Sequence, residues 1–202
     1  MKKIVVLALT ALFLVSCKNE EKIDSVVEES KDEIGLRVVS DSTKVSWTAF
    51  KTTEKVAVGG KFTSLELKNT QSGTTPEAVL EGASFSIPVS SIFTDNPDRD
   101  GKIKQFFFGV LKNTEMIGGT FNFRDGKCFM TLTLNDVTKQ LEVTYSISEK
   151  KFMVKHTLNL EDFGALDAVA SINKACYDLH KGPDGVSKTW SEVEISGSVL
   201  FE

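Results

Sequence analysis

An all-β fold, a barrel or a sandwich of about eight antiparallel strands with two helical excursions, is what this chain predicts. Three observations carry the prediction. From Lys44 to Glu202 apolar and polar residues alternate with the period of two that belongs to half-buried strands. The runs are short and closely spaced, with turn residues between them, among them the hairpin dipeptide Asp125-Gly126. The alternation breaks twice, around Asn96 to Phe108 and from Ala165 to Leu179.

Taken in order, Val45, Trp47 and Ala49 alternate with Lys44, Ser46 and Thr48 in a first strand. Val56, Val58, Gly60 and Phe62 repeat the pattern, and Leu65 and Leu67 continue it. Gly59-Gly60 inside that strand marks a bulge, a sharp bend or a close backbone approach. Asn69 to Pro76 is a loop rich in Thr, Ser and Gly, and Ala83, Phe85 and Ile87 make the next strand. Asn96 then suits an N-cap, Pro97 the first helical position and Asp98 the first turn, which predicts a short helix over about 97–107. Ile103 and Phe107 would share one face of it.

Strand alternation resumes at Ile117, Gly119, Phe121 and Phe123, and Asp125-Gly126 turns it into Cys128, Met130, Leu132 and Leu134. Asn135-Asp136 leads to Leu141, Val143, Tyr145 and Ile147, and Glu149-Lys150 to Phe152, Val154, His156, Leu158 and Leu160. Leu166, Val169, Ile172, Cys176 and Leu179 recur at helical spacing and predict one amphipathic helix over about 165–179, ended near Gly182-Pro183. Val193, Ile195, Gly197, Val199 and Phe201 form the last strand.

The first residues read as an address. Lys2 and Lys3 precede an apolar stretch, Ile4 to Val15, that is too short to span a bilayer comfortably and ends at Leu14-Val15-Ser16-Cys17. That string matches a lipobox, so residues 1–16 are expected to be a lipoprotein signal peptide and Cys17 the lipid-bearing N-terminus. Residues 17–41 follow as an acidic, flexible tether too polar to offset its own ordering entropy, leaving 42–202 as the folded domain. Lys18 stands where an aspartate would resemble an inner-membrane retention signal, and the Lys-Asn-Glu-Glu run resembles the export tags of some surface lipoproteins. The expected address is therefore the cell envelope, on the outer membrane, facing the periplasm or the cell surface.

Removing residues 1–16 takes away Lys2 and Lys3 and no acids, so 24 basic residues become 22 against 28 acidic ones, a net charge of −6. An acidic chain without a basic cluster is a poor partner for nucleic acid. No metalloprotease helix, nucleophile elbow, phosphate loop or dinucleotide fingerprint is present, and only two histidines could serve a triad. The reading is of a protein that is not an enzyme. His156 lies on the apolar phase of its strand, as either a satisfied core histidine or a polar contact for a ligand. Cys176 and His180 are four apart and, with His156, make a weak metal alternative. Cys128 and Cys176 read as buried thiols, although an oxidising envelope would permit them to pair.

Several segments together resemble the YceI-like family. They are Val45-Ser46-Trp47, Gly60-Lys61-Phe62, the stretch from Ile92 to Phe108, Gly119-Thr120-Phe121, Leu134 to Lys139 and Asn159 to Gly164. The chain departs from the family at Lys51-Thr52-Thr53, where a histidine is usual, and at Leu160-Glu161, where an arginine is usual. The resemblance implies an eight-stranded, lipocalin-like antiparallel barrel that encloses a polyisoprenoid chain. It also implies a ligand in place of a cofactor, an isoprenoid lipid or quinone held for storage or transport. The family includes homodimers, which leaves that state open here. On this reading Trp47, Phe62, Phe85, Phe107, Phe121, Met130, Leu132, Tyr145 and Val154 are the expected wall, with Arg99 and His156 as polar contacts for a head group. The rival is a structural or adhesive surface lipoprotein whose 14 phenylalanines fill the barrel without a ligand.

Overall fold

The computed structural model describes residues 35–202. The signal peptide, Cys17 and most of the expected tether lie outside the described residues. Ten strands form one antiparallel sheet: β1 (Lys44–Lys51), β2 (Val56–Phe62), β3 (Glu66–Lys68), β4 (Ser84–Pro88), β5 (Ile92–Phe93), β6 (Met116–Arg124), β7 (Lys127–Leu134), β8 (Val137–Ser148), β9 (Lys151–Asn159) and β10 (Thr189–Leu200). Among the described residues three α-helices accompany it, α1 (Pro76–Leu80), α2 (Pro97–Phe106) and α3 (Leu166–Ala175).

The hydrogen-bonded order is β3-β4-β6-β7-β8-β9-β10-β1-β2-β5. Its two outermost strands flank one seam. β3 follows β2 along the chain and β5 follows β4, while β2 pairs with β5 and β3 with β4. Between those pairs the Thr63 N–H donates to the Ser91 carbonyl at 2.9 Å, and Ser91 Oγ donates to the Ser64 carbonyl at 3.4 Å. The sheet thereby curls into a barrel and blunts the edges that an open sheet would expose.

This seam is why the structure has ten strands where the alternation predicts about eight. The run from Val56 to Leu67 is interrupted after Phe62, and the run beginning at Ser84 is interrupted by a 3-10 turn at Val89–Ser91. The apolar phase slips by one residue at each interruption, from Phe62 to Leu65 and from Val89 to Ile92, and that slip is the only mark the pattern carries of them.

Hairpin chemistry follows the sequence closely. Asp125 and Gly126 both take positive φ, 53° and 71°, at the β6–β7 turn, and Asn135 and Asp136 do so at β7–β8, at 55° and 61°. β8 pairs with β7 through Val143 and with β9 from Thr144 onward, so one long strand bends around a corner of the barrel. Gly59-Gly60 is not a bulge. β1 and β2 stay in register across it, from Val45 opposite Phe62 to Lys51 opposite Val56.

Helix α2 starts as the sequence predicts, with Asn96 Oδ1 accepting from the Arg99 N–H at 3.0 Å and Pro97 at the first turn. Helix α1 replaces the end of the expected loop. Its signal was present in Thr75-Pro76-Glu77, and the Thr75 hydroxyl oxygen accepts from the Ala78 N–H at 3.2 Å. Helix α3 ends at Ala175 rather than near Leu179, because the chain tightens into a 3-10 turn at Tyr177–His180 and enters a bridge between Lys181 and Ser187. Leu179 is consequently exposed.

The two ends of the barrel differ. At one, α2 packs on α3 and α3 on β10. Asn135 ties this end together, accepting from the Lys112 N–H at 2.9 Å and donating to the carbonyls of Phe163 and Gly164 at 2.9 and 3.1 Å. At the other end α1 and residues 36–42, all but Ser42 within the stretch assigned to the tether on composition, form a floor. Val38 bridges to Phe201, and Ser42 Oγ accepts from the Leu200 N–H at 2.9 Å. Phe123, Tyr145 and Phe152 stack there with centroids 5.7–5.9 Å apart.

Candidate ligand cavity

Between the aromatic floor and the helical roof the barrel holds an apolar cavity of about 280 Å³. Its walls follow from the strand phase. Val45, Trp47 and Ala49 of β1 face the same interior as Val58 and Phe62 of β2, Met130, Leu132 and Leu134 of β7, Phe152, Val154 and Leu158 of β9, and Val193 and Ile195 of β10. The roof contributes Ile103 of α2, Phe107 and Phe108 beyond it, and Val169 and Ile172 of α3. Small-molecule clefts commonly occupy about 300–1,000 Å³. This one lies just under that range and suits a slender chain better than a bulky ring system.

Trp47 fits only because Gly60 stands opposite it. A β-carbon on Gly60 would lie 2.8 Å from Trp47 Cε2 and 2.9 Å from Thr94 Cγ2. The Trp47 Nε1–H is buried, and among the described residues no acceptor reaches it. An unmatched buried donor costs roughly 1–3 kcal/mol.

The run Phe106-Phe107-Phe108 divides as its environment requires. Phe107 and Phe108 line the cavity with centroids 5.0 Å apart, and Phe108 meets Phe62 edge-on at 6.4 Å, whereas Phe106 does not reach the cavity. The aspartates of this segment serve the helix start. Asp100 Oδ1 accepts from the Thr94 N–H at 2.9 Å and the Thr94 hydroxyl at 2.6 Å. Arg99 and Lys102 of α2 reach the cavity, and among the described residues the Arg99 guanidinium has no hydrogen bond or ion pair. No aspartate or glutamate is among the lining residues.

Nine of the residues selected on sequence meet at this cavity: Trp47, Phe62, Phe85, Arg99, Phe107, Phe121, Met130, Leu132 and Val154. Two do not. Tyr145 belongs to the floor, where its hydroxyl lies 3.3 Å from the Gly126 carbonyl and 3.4 Å from Glu77 Oε1. Burial and the neighbouring Glu77 carboxylate raise its pKa. His156 is half-buried on β9 opposite Ile195 without lining the cavity, and burial lowers its pKa.

Among the residues the selection missed, His180 is the chemically distinctive one. It lines the cavity next to Thr189, with Nδ1 2.6 Å from Thr189 Oγ1, and burial followed by the Lys51 charge lowers its pKa. Its helical spacing from Cys176 was the only signal in the sequence. Among the described residues no three His, Cys, Asp or Glu side chains are placed to hold a metal ion, so His156, Cys176 and His180 do not assemble into one site. Cys128 and Cys176 are both buried free thiols.

The fold and the cavity define a class of protein: a lipocalin-like β-barrel with an apolar interior under a helical roof. Within that class the chain belongs to the YceI-like family, whose YceI-like domain matches residues 36–200. Among solved structures it is similar to a polyisoprenoid binding domain from Saccharophagus degradans implicated in plant cell wall breakdown. That likeness has a TM-score of 0.61 and 12% identity, over 84% of this chain and 99% of the other. It is also similar to Burkholderia cenocepacia BcnA, with a TM-score of 0.52 and 13% identity over 78% of this chain and 95% of that one. No curated protein matches the chain.

Proposed function

We propose that this protein binds a long apolar ligand, a polyisoprenoid or an isoprenoid quinone, inside its barrel and stores or carries it within the cell envelope. The observation that carries the reading is the cavity itself, about 280 Å³ walled by aliphatic and aromatic side chains. Burying an apolar chain there contributes about 25 cal/mol per Å² of surface removed from water, before the entropy of binding is set against it. The polyisoprenoid binding of the Saccharophagus domain, which shares the fold, supports the choice of ligand. The role is sequestration and not catalysis. A barrel packed solid by its own phenylalanines fits the structure less well, because the rings of Phe62, Phe107 and Phe108 border open space.

In the same reading Cys17 carries a lipid that holds the domain at the outer membrane, and residues preceding the barrel act as its tether. One acyl chain gives only marginal attachment, and stable anchoring takes more than one. Arg99 holds the polar end of the ligand at the roof.

Uptake of a radiolabelled prenyl chain by delipidated protein tests the binding reading. Wild type should take up the chain, and Ala49→Phe, which places a ring in the cavity, should not. Equal uptake by both would place binding elsewhere. Cell fractionation of a Cys17→Ala variant tests the anchor, with release from the membrane expected and continued membrane association against it.

A further inference from the structure

A chain of hydrogen bonds favours one nitrogen of His180 as the carrier of the proton. Asn173 Nδ2 donates to the Ser187 carbonyl at 3.5 Å, which turns Asn173 Oδ1 toward the Thr189 and Ser187 hydroxyls. The Thr189 hydroxyl donates its single proton to that oxygen at 2.9 Å. In that arrangement Thr189 Oγ1 accepts from His180 Nδ1, 2.6 Å away, which makes Nδ1 the protonated nitrogen. Nε2 is left with a lone pair, and among the described residues it has no hydrogen-bond partner.

The placement gives that lone pair a use. His180 and Thr189 both line the apolar cavity, so the imidazole is an acceptor in a wall whose charged groups, Arg99 and Lys102 among them, can only donate. Lys51 lines the same end and is committed to the Leu179 carbonyl at 2.8 Å, so it orders the roof beside the ring. Burial and the Lys51 charge both disfavour the imidazolium, which keeps the acceptor available at neutral pH.

We infer that His180 is a specificity-determining residue that accepts a hydrogen bond from a hydroxyl at the polar end of the bound chain, so that the cavity selects long-chain alcohols over their ethers and over carbonyl-only head groups. An ether or a carbonyl has no proton to give and, once it displaces solvent from the cavity, leaves Nε2 unmatched, which is the loss that makes such sites discriminating. The inference rests on the proposed binding of an apolar chain in this cavity and narrows its head group.

Two measurements test it on the full chain. Long-range ¹H–¹⁵N NMR of the histidine rings should show His180 protonated at Nδ1 and bare at Nε2, with Thr189→Val releasing that preference. A proton on Nε2 in the wild type would overturn the inference. Binding of geranylgeraniol and of its methyl ether gives the second readout. The wild type should favour the alcohol about fivefold to tenfold, the scale of one net hydrogen bond. The preference should vanish in His180→Phe and shrink in Thr189→Val, while both variants still bind the ether. Equal binding of alcohol and ether by the wild type would overturn the head-group inference and leave the cavity reading intact. Binding of neither would overturn both.

Discussion

The indole of Trp47 occupies the space that a side chain on Gly60 would need, since a β-carbon there would lie 2.8 Å from Trp47 Cε2. The neighbouring Gly59 has no such conflict, as its β-carbon would meet nothing closer than the Trp47 carbonyl at 3.5 Å. Two adjacent glycines of one strand therefore do different things. Gly60 admits the tryptophan that walls the cavity, and Gly59 faces the other side of the sheet.

Gly60→Ala should lower stability by about 1–3 kcal/mol, the usual cost of forcing an extra carbon into a packed site. Gly59→Ala should change stability by less than about 1 kcal/mol. Urea denaturation of the two variants makes the comparison. Equal effects would show that Trp47 moves freely and that Gly60 has no special part in placing it.

Cys128 is fully buried on β7, and its thiol is pushed up to about 12 by burial, with Glu81 and Glu77 adding to the shift. Only the thiolate reacts. Native protein held at pH 8 with iodoacetamide should leave the Cys128 peptide unmodified until the chain is unfolded in denaturant. Rapid native labelling at that residue, read by peptide mass mapping, would contradict the burial described for it.

Both described histidines have their pKa lowered from 6.5, His156 by burial and His180 by burial and then the Lys51 charge. Below that value the unfolded chain binds protons that the folded chain resists. Their contribution to stability is thus complete above about pH 6.5 and is lost as the pH falls through the folded values. The stability of the wild type should decline between about pH 7 and pH 5, and a His156→Gln, His180→Gln double variant should decline less. Asp184, lowered from 3.8 by hydrogen bonds from Thr53 and the Val186 N–H, acts in a separate and more acid range. An identical slope in wild type and double variant would contradict the assignment.

How far the sequence carried can be seen in particular residues. Period-two alternation separates inside from outside, and it placed Trp47, Met130 and Val154 on the interior correctly. It carries no information about height along the barrel axis. Tyr145 and Val154 are paired across β8 and β9 and share the interior phase, yet Val154 lines the cavity while the Tyr145 ring belongs to the floor. The Asn96-Pro97 start of α2 was legible because capping is local chemistry. The interruptions at the β2–β3 and β4–β5 seam showed only as a one-residue slip of phase, from Phe62 to Leu65 and from Val89 to Ile92, because their cause is closure of the sheet, a constraint that spans distant parts of the chain. His180 was visible only as a spacing from Cys176. Its partners Asn173 and Thr189 are brought together by the α3 turn and the start of β10, which no local pattern reveals.

The central claim is that the barrel encloses a long apolar molecule. Organic extraction of the natively purified protein, followed by mass spectrometry of the extract, tests it most directly. The extract should contain one family of long-chain isoprenoid species at close to one molecule per chain. A protein that yields no such species, and that also fails to take up added isoprenoid after delipidation, would contradict it.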